Sequence, residues 1–437
     1  MNAMFRWLWA SAGLANLGDG IIITALPLIS IAAGGQPSEV ALVTTAATIA
    51  WPIAGLHAGW VVDKIPPHRL LALVNSARTL ALIGLSLSIA FETGVLVVTL
   101  ASALIFGFAE TLVDTALIAG IPRTVSRNRL VGANARIEAT VNINNQLAGP
   151  PLAGLLVGSA GLLAATTGAA LYLLAGVAAL GLMHSMRRSH SEYFTTGIPA
   201  AAEIDNSAGK GRAEIRVRDG IRLLWRHRLQ RELTLMTAAM SVIWGAWTAT
   251  FVLHAVAPGP LGLDPAGYGL LLTTMALGGI IASMLTERLQ TRISPTSLLF
   301  IDTIGTIGLV LPAALNAPLA VVAAGIVLAG SGSTVWRIIV AVVRQKSTPL
   351  HLIGRVYSAS RVISWGALPL GATLAAMGVG PLGLTSMFWI ESALAAGIST
   401  WFAIRMPTLR SRMDEAAAPA PGEMLFNHKV DNEDAEG

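Results

Sequence analysis

The chain has 437 residues, 54% of them hydrophobic and 12% charged, about half the charged share of a soluble domain. A chain this long and this apolar cannot cover itself with polar surface, so a soluble single-core protein is excluded. Cysteine is absent, which rules out disulfides, thiolate nucleophiles and Cys-based metal sites. The net charge of +5 sits in short blocks between apolar stretches, the pattern of topology signals rather than of a nucleic-acid-binding surface.

A bilayer core about 30 Å thick takes roughly 20 apolar residues of helix. Such stretches fall at 6–32, 38–62, 69–91, 94–119, 134–157 and 160–185. After a polar interval they resume at 230–256, 266–287, 294–315, 317–343, 357–379 and 381–405, which predicts about twelve transmembrane helices. Arg6 followed by an apolar run has the form of a signal peptide, but Asp19 interrupts that run and it continues past Ile31. An uncleaved first helix is therefore expected. Every second connection is basic: Lys64 and Arg69; Arg123, Arg127 and Arg129; Arg187 through Arg231; Arg288 and Arg292; Arg344, Lys346 and Arg355. The others carry no Lys or Arg. The positive-inside rule then puts both termini in the cytoplasm of a multi-pass inner-membrane protein.

The one long connection begins small and polar, from Ser189 to Gly211, and is expected to be flexible. From Ile215 to Arg226 basic and apolar residues recur at helical spacing, as in an interfacial helix on the cytoplasmic leaflet. The expected organisation is a six-helix bundle over 1–185, a linker with an amphipathic helix over 186–229, a second bundle over 230–405 and a disordered tail over 406–437.

An internal repeat relates the two bundles. Gly59-Trp-Val-Val-Asp63-Lys64 after helix 2 is echoed by Ser283-Met-Leu-Thr-Glu287-Arg288 after helix 8. Arg129-Leu-Val-Gly132 before helix 5 is echoed by His351-Leu-Ile-Gly354 before helix 11. The offsets are 224 and 222 residues, and both pairs lie on the basic side, so the halves are expected to be parallel.

Gly55-Leu-His-Ala-Gly59-Trp-Val-Val-Asp63-Lys64-Ile-Pro-Pro-His-Arg69 resembles the loop 2–3 signature of the major facilitator superfamily, and the resemblance extends over residues 6–405. Gly59 permits close helix packing, Asp63 can meet a helix N-terminus, and Lys64 and Arg69 can pair with acids at the inner face. Ala148-Gly149-Pro150-Pro151-Leu-Ala-Gly154 in helix 5 resembles the Gly-Pro signature of drug–proton antiporters. The stretches from Val217 to Arg228 and from Gly354 to Gly371 resemble the branch containing macrolide and enterobactin exporters. The helix 4 Arg common in the superfamily is missing, and Glu110 occupies the polar stretch there. The resemblance implies an all-α membrane protein of two parallel six-helix pseudo-repeats. It also implies alternating access to a midplane cavity lined by helices 1, 4, 7 and 10.

Ionisable residues at membrane depth cost several kcal/mol and are functional candidates by default. They are Asp19, Arg78, Glu110, Asp114, Asp302, Arg337 and Glu391. At 1.5 Å per residue Arg78 lies about 13 Å from the basic end of helix 3, and Asp114 lies at a similar depth in helix 4. An Arg78–Asp114 ion pair is therefore expected. The repeat offset carries Arg78 to Asp302 and Asp114 to the neighbourhood of Arg337, so a second pair with exchanged signs is expected there. These four are either static or gating pairs, or part of the transport chemistry.

Asp19 and Glu110 have no such evident partner. They are candidates for proton or substrate handling, or else acids capped by hydroxyls or Asn16. Glu391 is expected to be peripheral. Trp244, Trp247 and Trp336 can stack on an apolar or cationic ligand or simply pack. Asn142, Asn144, Asn145 and Gln146 form a polar run that either faces the cavity or bonds neighbouring helices. His57 and His254 have no companions at metal-ligand spacing, and Gly209-Lys210-Gly211 lacks the rest of a phosphate loop. No metal, cofactor, nucleic acid or enzymatic activity is expected. The reading is a monomeric secondary transporter, its partners a small-molecule substrate, protons and the lipid bilayer. Export of amphipathic molecules by proton exchange is preferred over nutrient or siderophore import or a non-transporting sensor.

Overall fold

The structure is a computed structural model that describes residues 3–121, 124–125, 129–196, 217–348 and 353–417. Regular structure among these residues is helical, apart from one isolated bridge between Val256 and Leu263. The first half holds α1 (Ala3–Ala32), α2 (Pro37–Lys64), α3 (Pro67–Ala90), α4 (Val95–Gly120), α5 (Leu130–Val141), α6 (Gly149–Ser159) and α7 (Gly161–Thr196). After α8 (Val217–Arg226) come α9 (Arg228–Ala255), α10 (Pro265–Gln290), α11 (Pro295–Ala314), α12 (Leu319–Lys346), α13 (Ile353–Leu382), α14 (Leu384–Arg405) and α15 (Arg410–Ala417).

Ten helices among the described residues are long and apolar enough to cross a membrane. With α2 and the composite α5–α6, they supply the twelve crossings read from the sequence. Their starts follow from local chemistry. Pro37, Pro67, Pro265 and Pro295 open α2, α3, α10 and α11, where a missing N–H costs nothing. The Asp264 carboxylate accepts from the Gly267 amide at 2.7 Å and caps α10. Leu73, Leu80 and Leu87 recur every seventh residue on α3 and are 61%, 68% and 53% exposed. Such a stripe needs lipid against it, which is why neither face of these helices is polar.

The fifth crossing departs from a plain helix. Asn142–Ala148 is a seven-residue π-helical segment between α5 and α6, and the Gly149 amide reaches back to the Asn144 carbonyl. Pro150 and Pro151 follow, and neither can donate to the carbonyl four residues earlier. Two ladder bonds are missing at the same place, and the wider turn is the local response.

The halves meet along two seams. In one, α6 crosses α10: a Cβ on Gly154 would overlap the Pro265 carbonyl, and one on Gly269 would overlap that of Pro150. Only glycine lets these backbones touch. In the other, Ala41 of α2 packs in one apolar cluster with Ala246 and Ala249 of α9 and Ala372, Ala375, Ala376 and Val379 of α13. Both groups of contacts lie at the end where the connections are free of Lys and Arg.

At the basic end, α8 packs against α13 with Leu224 buried, while Arg222, Trp225 and Arg226 are exposed. The tail differs from expectation. α15 continues to Ala417 with Met406, Leu409 and Met413 buried beneath it. Asp414 accepts from the Thr296 amide at 3.2 Å and its hydroxyl at 2.7 Å, capping α11 from a distant part of the chain. The apolar i, i+4 pair Leu409–Met413 gives the segment a face to bury, so it is not a loose tail. The expected flexible segment 189–211 and the tail beyond 417 lie largely or wholly outside the described residues.

Candidate functional site

The central feature is built from α1, α3, α4 and α7. Arg78 on α3 is fully buried, and its Nη2 lies 3.1 Å from Asp19 Oδ1 on α1. Its Nη1 donates to Asp19 Oδ2 at 3.4 Å, and the Tyr172 hydroxyl of α7 donates to Oδ1 at 2.8 Å. The guanidinium also lies over the Phe106 and Tyr172 rings, 5.5 and 5.1 Å from their centroids. Gly18 makes this possible, since a side chain there would run into the Tyr172 ring. A desolvated carboxylate is thus held by one charge and one hydroxyl, with two aromatic faces as further support for the cation.

This corrects the expected Arg78–Asp114 pair. Depth along a helix fixes height and not direction, and Arg78 meets Asp19 on α1 while its contact on α4 is the Phe106 ring rather than Asp114. Asp19, read from the sequence as lacking a partner, is the acid it meets. Asp114 instead pairs across the halves: its Oδ2 is 3.8 Å from Arg361 Nη2 on α13. The Arg361 guanidinium lies over the Trp365 ring at 5.1 Å, and Trp365 sits 5.3 Å from Trp51 of α2 at a tilt of 45°. Trp51 Nε1 in turn donates to Glu110 Oε2 at 3.2 Å. Glu110 and Asp114 are one helical turn apart on one face of α4. Tyr172, Trp51, Arg361 and Trp365 were not singled out from the sequence as site residues. Arg361 was recoverable, because it is a charged residue inside the Gly354–Gly371 stretch and lies within the membrane-crossing part of α13.

The second expected pair is also not formed. Asp302 is buried and its Oδ2 has no hydrogen-bond partner among the described residues. Arg337 is exposed and, among the described residues, donates to the Thr334 hydroxyl at 3.5 Å. The repeat offset maps positions only to within a residue, and one residue along a helix turns a side chain by about 100° toward another neighbour. Glu391 is not peripheral: it is 1% exposed and accepts from Thr250 at 3.4 Å.

Trp247 stacks on Phe251 at 4.5 Å and Trp244 meets it edge-on at 6.0 Å, while Trp336 is buried and donates to Thr237 at 3.0 Å. Trp247 and Trp336 are core residues here. In the π-helical segment Asn144 donates to the Gly13 carbonyl at 2.8 Å, Asn142 is exposed and Asn145 half-buried. Pro150, Pro151 and Gly154 form the α6 side of the α6–α10 seam, whereas Gly149 packs against Gly20 of α1. Arg69, Glu287 and Arg288 are exposed at the basic end. Lys64 is exposed at the end of α2, and the side chains of Asp63 and His57 lie outside the described residues.

Charge buried midway along a bundle of membrane-crossing helices marks a functional candidate. The profile of the Major Facilitator Superfamily matches residues 8–371, and the chain belongs to that family. It is 25% identical over 419 residues to the multidrug efflux pump Tap of Mycobacterium tuberculosis, with 91% of this chain and 92% of that protein covered. Among solved structures, the nucleoside transporter NupG matches with a TM-score of 0.68 at 12% identity, over 92% of this chain and 99% of NupG. A bacterial homologue of the iron transporter ferroportin in an inward-facing state matches with a TM-score of 0.69 at 14% identity, over 92% and 98% of the two chains. The structural likenesses show the shared all-α fold. The protein is a multi-pass membrane transporter of small molecules and not an enzyme.

Proposed function

We propose that this transporter exports amphipathic small molecules, drug-, secondary-metabolite- or siderophore-like, in exchange for protons by alternating access. The observation that carries the reading is the Asp19–Arg78–Tyr172 cluster. Protonating Asp19 removes the charge that holds Arg78, and the Phe106 and Tyr172 faces remain to support the cation when the pair separates. One proton thus changes the electrostatics joining α1, α3 and α7. Glu110, hydrogen-bonded to Trp51, is the second proton-handling acid of this reading.

The moving units are the bundles over 1–185 and 230–405, joined by the linker over 186–229, with the chain acting as a monomer. The Lys/Arg alternation supports cytoplasmic termini in the inner membrane, and the seams at the Lys/Arg-free end then make this a state closed to the outside. The Gly-Pro-Pro of α6 and the name borne by the Tap relative support export.

The test uses a substrate selected by comparing accumulation of amphipathic compounds in cells with and without the protein. In energised inside-out vesicles the wild type should accumulate it as protons flow out. Asp19→Asn should lose gradient-driven uptake while keeping downhill exchange, and Glu110→Gln should weaken coupling. Wild-type coupling in both variants would remove these acids from proton transfer. Accumulation only in right-side-out vesicles would reverse the direction.

A further inference from the structure

The contact between Asp114 and Arg361 has the features of an exchangeable one. At 3.8 Å it is a loose ion pair, and the two side chains are 50% and 56% exposed. The Asp19–Arg78 pair, at 3.1 Å, has 4% and 0%. It joins the halves, from α4 to α13. Its cation is also supported by an indole face, since Arg361 lies over Trp365. Trp365 is 47% exposed and leans on Trp51 from the opposite half. Trp51 is itself fixed by its bond to Glu110. The molecule therefore already seats a planar, delocalised cation between a carboxylate and an aromatic surface drawn from both halves.

We infer that this is a binding site for aromatic or delocalised organic cations, with Arg361 as a resident counter-ion that the ligand displaces from Asp114. The chemistry selects the ligand. The carboxylate supplies charge, the Trp51–Trp365 pair supplies an apolar π surface, and a hard, strongly hydrated cation gains little from the second. A ligand that takes Asp114 also breaks a link between α4 and α13, so occupancy and release of one contact between the halves are the same event. The inference rests on the transporter assignment, not on the direction or proton coupling proposed above.

The test is equilibrium binding to the purified full-length protein in lipid nanodiscs without any gradient, so failure of the export reading leaves its result intact. The probes are tetraphenylphosphonium and tetraphenylborate, alike in shape and opposite in charge, with empty nanodiscs as the partition blank. The wild type should bind the phosphonium in preference to the borate. Arg361→Gln should bind the phosphonium more tightly by about tenfold, a gain that misfolding cannot imitate. Asp114→Asn should lose that affinity and, with Arg361 left uncompensated, shift preference toward the borate. Trp365→Leu should weaken phosphonium binding by about threefold or more. Equal binding of the two ions by the wild type, or an Arg361→Gln variant no tighter than wild type, would overturn the inference.

Discussion

Arg78 is enclosed on every side, and Asp19 is the only acid in ion-pair contact with it among the described residues. A pair taken so far out of water is not automatically stabilising, yet removing one member strands the other. Arg78→Leu should therefore cost about 3–5 kcal/mol of stability, whereas Asp19→Asn combined with Arg78→Leu should recover most of that loss. Tyr172→Phe, which removes one hydrogen bond to a charged acceptor, should cost about 1.5–3 kcal/mol. Unfolding of these three variants and of Asp19→Asn alone, in one detergent, reads all of this. A double variant as unstable as the sum of its singles would show that the two residues do not act as a unit. The sequence pointed to both residues by depth but assigned Arg78 to Asp114, because rise per residue carries no information about which neighbour a side chain faces. Tyr172 was invisible for a different reason, since a tyrosine in an apolar helix has no signature of its own.

At the scale of elements, hydropathy locates the crossings to within a few residues, because lipid imposes both length and composition. Hydropathy does not see the π-helical turn, which depends on two consecutive prolines after a polar run, nor α15, which owes its order to Asp414 meeting the start of α11. The α6–α10 seam was marked in the sequence only as Gly149-Pro-Pro and Gly154. In the structure Gly154 sits where its missing side chain lets α6 touch Pro265. Gly154→Leu should hold these helices apart at the Lys/Arg-free end. The chain has no cysteine, so spin labels at Ser159→Cys and Gly262→Cys report this gap without background. Their distance should lengthen by several ångströms when Gly154→Leu is added to the labelled pair. An unchanged distance would show that the seam tolerates a side chain and does not control closure.

Over the whole molecule, two kinds of charge contact divide the labour. Asp19 and Arg78 lie within one half and out of solvent, while Asp114 and Arg361 join the halves and remain accessible. Which compartment that accessible pair faces depends on the orientation of the chain. Among the described residues the connections that start α2, α4, α10, α12 and α14 carry no Lys or Arg, whereas the opposite end of the bundle carries Lys64, Arg69, Arg129, Arg288, Arg292, Arg344 and Lys346. Translocating that end would work against the asymmetry that sets topology in short loops. A reporter fused after Ala435 should therefore behave as cytoplasmic. A second, inserted at Gly262, should behave as external, because this loop glycine is exposed at a φ of 60° and outside any helix. The two sites are separated by an odd number of crossings, α10 through α14, so a correct count requires opposite results. Like results at both would mean that one of these five helices does not cross. Exchanged results would keep the count, invert the protein and make the Asp114–Arg361 site open to the outside.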